Sequence, residues 1–184
     1  MSPSHNPPSR VGRVLVVAGS DSGGGAGVQA DVKTITALGG YAATAITAVT
    51  VQNTLGVIGM QELSAELVHA QAHAVLEDIG ADAVKTGMLA NADSVHAAAE
   101  ELAARAQHIP IVVDPVLVST SGHVLGDDDV VEAIKSALLH LASLREHEGD
   151  GGFLMDEEGD KLVSNIGAVG TAMLELERLT TTAT

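Results

Sequence analysis

The sequence predicts an α/β fold, a mostly parallel sheet flanked by helices on both faces. Three observations lead there. From Arg13 to Leu144, apolar runs rich in β-branched residues alternate with segments of helical period, the pattern of strands joined by crossover helices. Apolar residues make up 46% of the chain but aromatics only 1%, so the core must be built from Val, Ile, Leu and Ala, which suits helices on an aliphatic sheet. The length of 184 residues allows one domain with a real core and is too short for two comfortable ones.

The opening MSPSHNPPSR carries three prolines and no apolar segment, so residues 1–11 are expected to be a disordered lead-in, with the folded domain over 12–146. RVLVVAG is the first buried strand. In GGGAGVQADVKTITALGG, Val28, Val32, Ile35 and Leu38 fall on one helical face and Gly39 follows as a stop. YAATAITAVTVQN is a second strand. Ser64 is placed to cap a helix whose stripe is Val68, Ala72, Val75, Leu76 and Ile79, ended by Gly80. AVKTGM is the third strand and IPIVVDPV the fourth. Between them a helix spans Asn91 to Gln107, with Val95, Ala99, Leu102 and Ala106 inward. A further helix begins near Asp127 and buries Val130, Ile134, Leu138 and Leu141. After about Leu144 the rhythm fails. Residues 147–184 form a divergent, acidic tail that allows a hairpin FLM/KLV and a short helix from Gly170.

The charge balance narrows the partners. Net charge is −15 and the nine Lys plus Arg are scattered, so no basic stripe exists to neutralise nucleic-acid phosphates. Without cysteine there is no disulfide framework, thiolate metal site or cysteine nucleophile. The run Val14 to Ala18 is too short for a signal or a membrane span, so a soluble, cytoplasmic protein with no membrane partner is expected.

In parallel sheets, ligands sit outside the carboxyl ends of the strands. The groups found there are Gly19, Ser20 and Asp21 with the glycine loop, then Gln52 and Asn53, then Gly87 and Met88, then Asp114. The loop AGSDSGGGAGVQAD suggests a phosphate cradle, yet neither standard form fits. No Gly-Lys-Ser/Thr closes it, and no acid occurs between Asp31 and Glu62 to meet a ribose. Asp21 and Asp31 beside the loop favour a neutral or amine-bearing ligand instead. His69 and His73 have an i,i+4 spacing that can clamp zinc, but with Glu66 and Glu77 beside them they read as a solvated face. Asp156, Glu157, Glu158 and Asp160 lack the spacing of a calcium loop and read as a solvated turn. His123 reads as a loop histidine.

AGSDSGGGAGVQADVKT, then TALGGY, ITAVTVQNT, VKTGML and VVDPVLVSTSG in that order, resembles the N-terminal part of the hydroxymethylpyrimidine and phosphomethylpyrimidine kinases of thiamine biosynthesis, which have a ribokinase-like fold. The resemblance runs from about Arg13 to about Leu144. It implies transfer of phosphate from ATP, with Mg²⁺, to 4-amino-5-hydroxymethyl-2-methylpyrimidine and then to its monophosphate. It places Gly19, Ala26, Asp31, Gln52, Met88 and Val116 against the aminopyrimidine, and Asp114 in the metal and ATP region.

The family's late glycine loop, which supplies the anion hole and catalytic base, is echoed only by GAVGTAML, and no aspartate follows Asp160. His123 stands where the family usually has an acid. The catalytic residues are therefore unassigned, and the C-terminal portion of the fold is expected to be incomplete. The alternative reading is an inactive, truncated relative that at most binds the aminopyrimidine. A sheet that stops short exposes an edge, which points to a partner subunit, a homodimer in the simplest case.

Overall fold

In a computed structural model, residues 11–117, 119, 122–142, 144–147, 153–155 and 161–164 are described. Residues 1–10 of the lead-in, the carboxylates from Asp156 to Asp160 and the helix expected from Gly170 lie outside the described residues. Among those described, one sheet contains β1 (Arg13–Asp21), β2 (Tyr41–Asn53), β3 (Gly56–Glu62), β4 (Ala83–Thr86), β5 (Ile111–Val113), β6 (Leu144–His147), β7 (Phe153–Met155) and β8 (Lys161–Ser164). Their order across the sheet is β3-β2-β1-β4-β5-β6-β7-β8. From β2 to β6 neighbours are parallel. At one edge β3 returns antiparallel to β2, and beyond β6 the pairings with β7 and β8 are antiparallel.

The alternation of side chains along β1 explains why the sheet is covered twice. Leu15 and Val17 enter one core together with Val84 and Val113. That core is closed by α2 (Ala65–Ala74), α3 (Ala92–Arg105) and α4 (Asp128–Ala133), through residues such as Val68, Val95, Leu102 and Val130. Val14, Val16 and Ala18 point the other way, to Ala83, Val112 and the Val28 and Ile35 of α1 (Gly27–Ala37). A fully buried Leu or Val contributes about 1.5–3 kcal/mol, so the five central residues Val14 to Ala18, at most 1% exposed, anchor both layers.

Capping sets the helix starts. Ser64 Oγ accepts from Leu67 N at 3.3 Å, Asn91 Oδ1 from Ser94 N at 2.8 Å and Asp127 Oδ1 from Val130 N at 3.0 Å. The ends of α2 and α4 widen into π-type turns at Val75–Ile79 and Ile134–Leu138, and the first of these stops at Gly80 with φ 70°.

Some expectations are corrected. The third and fourth strands end at Thr86 and Val113 rather than running on through GM and DPV, because the chain leaves the sheet there to form loops. Leu38 is 55% exposed, since α1 stops at Ala37 and Leu38 is only its C-cap. Asp31 takes the inward position instead, one turn from both Val28 and Ile35. β3 and β6 were not anticipated. β3 has a single neighbour and a mixed apolar, polar and glycine sequence, so neither strict alternation nor an unbroken apolar run marks it.

Candidate functional site

The glycine loop is organised by one carboxylate. Asp21, 6% exposed at the end of β1, accepts from Gly23 N at 2.7 Å through Oδ1, and from Gly25 N at 2.9 Å and Ala26 N at 2.8 Å through Oδ2. Amide groups that would greet a phosphate are already taken, which removes the cradle reading on structural grounds. Gln29 reaches back from α1, accepting from Asp21 N at 2.8 Å and donating to Ser20 Oγ at 2.7 Å. Lys33 Nζ donates to Gly24 O at 2.7 Å. Gly27, at φ 56°, lets the chain fold back so tightly that a Cβ would meet Gly19 O at 2.3 Å. The loop is therefore a built wall.

The second strand end is tied to this wall through Ser22. Gln52 N donates to Ser22 Oγ at 2.8 Å, and that hydroxyl donates to Gln52 O at 2.8 Å. The Gln52 side chain stays half-buried, with Oε1 3.3 Å from Thr50 Oγ1. Apolar material comes from the loops after β4 and β5. Met88, 8% exposed, clusters with Ala48, Ala90 and Leu125, and Val116 packs against the group. The terminal methyl of Met88 lies over Gly19, where a Cβ would come within 2.2 Å of it. Thr47 Oγ1 donates to Met88 O at 2.7 Å and fixes that loop.

Behind these residues runs a string of buried charge. Lys85 Nζ donates to Asp31 Oδ2 at 3.1 Å and stands 3.3 Å from Asp114 Oδ2. Burial works against the Lys85 ammonium, but Asp114 and Asp31 together outweigh it and hold the group above the ordinary lysine range. Burial pushes the Asp31 carboxyl up; Lys85 pulls it back and Asp114 adds to the rise.

The structure thus brings Gly19, Met88 and Val116 into one apolar cluster, joins Asp31 to Asp114 through Lys85, and ties Gln52 to the glycine loop. Ala26 sits exposed on that loop as the N-cap of α1. His123 is exposed, and its backbone pairs with Ser119. Sequence reasoning passed over Lys85. The signal was a lysine inside the otherwise apolar and β-forming AVKT, where a charge needs a partner.

His69 and His73 do not form a solvated face. His69 Nε2 and His73 Nδ1 both lie 3.1 Å from the carboxylate of Glu101 on α3, which is 3% exposed, and Arg105 Nε lies 2.9 Å from it. The face was misread because its partner belongs to another helix. Among the described residues, no group of three or more His, Cys, Asp or Glu could hold a metal ion, and no helix is long and apolar enough to cross a membrane.

Comparison with known proteins adds four findings. A family model described as phosphomethylpyrimidine kinase matches residues 21–145. A hydroxymethylpyrimidine/phosphomethylpyrimidine kinase of Mycobacterium leprae is 49% identical over 132 residues, which are 72% of this chain and 47% of that protein. Among solved structures, the phosphomethylpyrimidine kinase of Clostridium difficile superposes with a TM-score of 0.68 at 40% identity, covering 73% of this chain and 58% of that one. The pyridoxal kinase of Staphylococcus aureus, in complex with AMP-PCP and pyridoxal, gives 0.63 at 33% identity, covering 73% and 47%. The chain spans about half the length of the curated relatives it matches.

Proposed function

The chain belongs to the phosphomethylpyrimidine kinase family, and from that premise we propose that it supplies the substrate-binding part of a kinase acting on 4-amino-5-hydroxymethyl-2-methylpyrimidine and then on its monophosphate, with ATP as donor. The observation that carries this reading is the gathering of Asp31, Met88, Asp114 and Val116 around the carboxyl ends of β4 and β5, inside the residues that match the family.

The pieces suit an aminopyrimidine. Such a ring has an apolar face and a polar edge. Met88 offers a polarisable thioether to the face, and Val116 extends the apolar surface. Gln52 can donate and accept at once, as a ring nitrogen beside an exocyclic amine requires. Asp31 is acceptor-only when ionised and matches the amine. Gly19 leaves room for the Met88 methyl that lies over it, and Ala26 keeps a small side chain on the loop. Phosphoryl transfer depends on positioning and on stabilising charge, so a pocket that fixes the ring also fixes the hydroxymethyl oxygen to be phosphorylated.

ATP as the donor is supported by the relatedness to a kinase solved with AMP-PCP. Mg²⁺ is commonly held by phosphate oxygens, water and one or two carboxylates, and it neutralises charge on the phosphates. Asp114, a half-buried carboxylate just after β5 that Lys85 touches from one side, fits the role of meeting metal-bound water. Among the described residues none is assigned as the base.

The experiment is a coupled assay of ADP release by the purified chain with ATP and Mg²⁺, with and without the pyrimidine. Pyrimidine-dependent ADP shows that the chain completes the transfer by itself, and its absence overturns that activity and leaves the binding part to the next measurement. Calorimetry then separates a silent binder from a chain with no pocket. Gln52→Ala should weaken binding by about 1–3 kcal/mol, because it strips a paired polar group. Unchanged affinity would place the pocket elsewhere.

A further inference from the structure

Lys85 is the one charged side chain in β4, a strand buried along its whole length. A lone ammonium there would lose its hydration, a cost that only close counter-charges offset. Two are present. Nζ lies 3.1 and 3.4 Å from the two carboxylate oxygens of Asp31, and 3.3 Å from Oδ2 of Asp114. Among the described residues these are the charged groups facing Lys85, one from α1 and one from the end of β5. The neighbouring position confirms how closely the ammonium is fitted. A Cβ on Gly87 would sit 3.0 Å from Nζ and 3.0 Å from the Ala18 Cβ of β1, so a side chain there would compete with the ammonium for its place.

The arrangement has a chemical consequence for Asp31. Burial favours the neutral carboxyl, Asp114 favours it further, and Lys85 is what opposes both. An ionised carboxylate only accepts hydrogen bonds, whereas a protonated one also presents an O–H. An amino group donates to either form but more strongly to the first, whose oxygens carry the charge, and a ring without it gains nothing from that charge. We propose that Lys85 is a positioning residue that holds Asp31 as an ionised acceptor for the amino group of the substrate's pyrimidine, and so sets the preference for an amino-bearing ring. This rests on the pocket reading of the preceding subsection.

The test uses two probes, 4-amino-5-hydroxymethyl-2-methylpyrimidine and the same ring without the amine, titrated by calorimetry from about pH 7 to about pH 9. The unsubstituted chain should prefer the amino ring by roughly tenfold or more, with little change over that range. In Lys85→Met the preference should weaken several-fold near the lower pH and recover in part as the pH rises and Asp31 ionises. A uniform loss for both rings at every pH would mark a merely structural lysine and overturn the proposal, as would an unchanged preference. A second measurement covers a variant that does not fold: the carboxyl ¹³C shift of Asp31 in the unsubstituted chain, which should report an ionised group at about pH 7. A protonated Asp31 there overturns the proposal. If neither ring binds the unsubstituted chain, the pocket reading itself falls and takes this assignment with it.

Discussion

Asp21 does the work that the glycine-rich composition seemed to promise to a ligand. Its two oxygens satisfy three loop amides, and Ala26, which has no capping side chain, starts α1 under that same carboxylate. Gly27 makes the fold-back possible. Gly27→Ala would place a methyl 2.3 Å from Gly19 O at a φ of 56°, and the chain must either open the loop or carry the strain. A loss of about 1–3 kcal/mol in a urea titration is expected, with weaker pyrimidine binding since Gly19 is part of the wall. A variant as stable as the parent would show that the loop relaxes without consequence. At this scale the sequence was informative about residue types and silent about pairings. Asp31 and Asp114 were visible as polar groups near strand ends. That Lys85 links them depends on the sheet placing β4 between β1 and β5, which no local spacing encodes.

Elements whose sequence carries its own signal were legible, and those defined by a neighbour were not. The three capped helices each begin within a residue of Ser64, Asn91 and Asp127, and β1 and β2 stand out as β-branched runs. β3 exists because β2 offers it a ladder, and β6 because β5 does. The same holds for the contact between α2 and α3. Glu101 is buried on the face of α3 that meets α2, and His69, His73 and Arg105 gather around its carboxylate. His73 also turns Nε2 to Glu77, at 3.1 Å, so one imidazole bridges two carboxylates. Glu101→Ala removes the hub and leaves three donors to find water at a helix interface. A destabilisation of about 1–3 kcal/mol is expected, read as a lower urea midpoint with an unchanged slope, and without effect on pyrimidine affinity. A matching loss of affinity would mean that the latch and the pocket are coupled.

Across the whole molecule, two electrostatic effects act over different ranges. The chain carries a net charge of −15, so its surface repels itself, and added salt screens that repulsion over a Debye length of about 10 Å at 0.1 M. In the Asp31–Lys85–Asp114 string the Asp31–Lys85 pair is buried and Asp114 half-buried, so the string is only weakly screened. The string should therefore show itself in pH rather than in salt. Lys85 is held above the ordinary lysine value of 10.5, so between that value and its own the folded chain keeps a proton that the unfolded chain has released. In that window the unfolding free energy falls as pH rises, and the stability that Lys85 contributes is complete below 10.5 and lost above it. Asp31 acts at the other end with the same sign. Its value is raised above 3.8, so the fold gains as pH falls through the raised value. Urea unfolding at low and high salt should thus give curves displaced upward by salt, each bending down on the alkaline side by a similar amount. Lys85→Met should flatten that alkaline bend while leaving the salt displacement in place. An alkaline bend that salt abolishes would assign it to the surface and remove the buried string as its source.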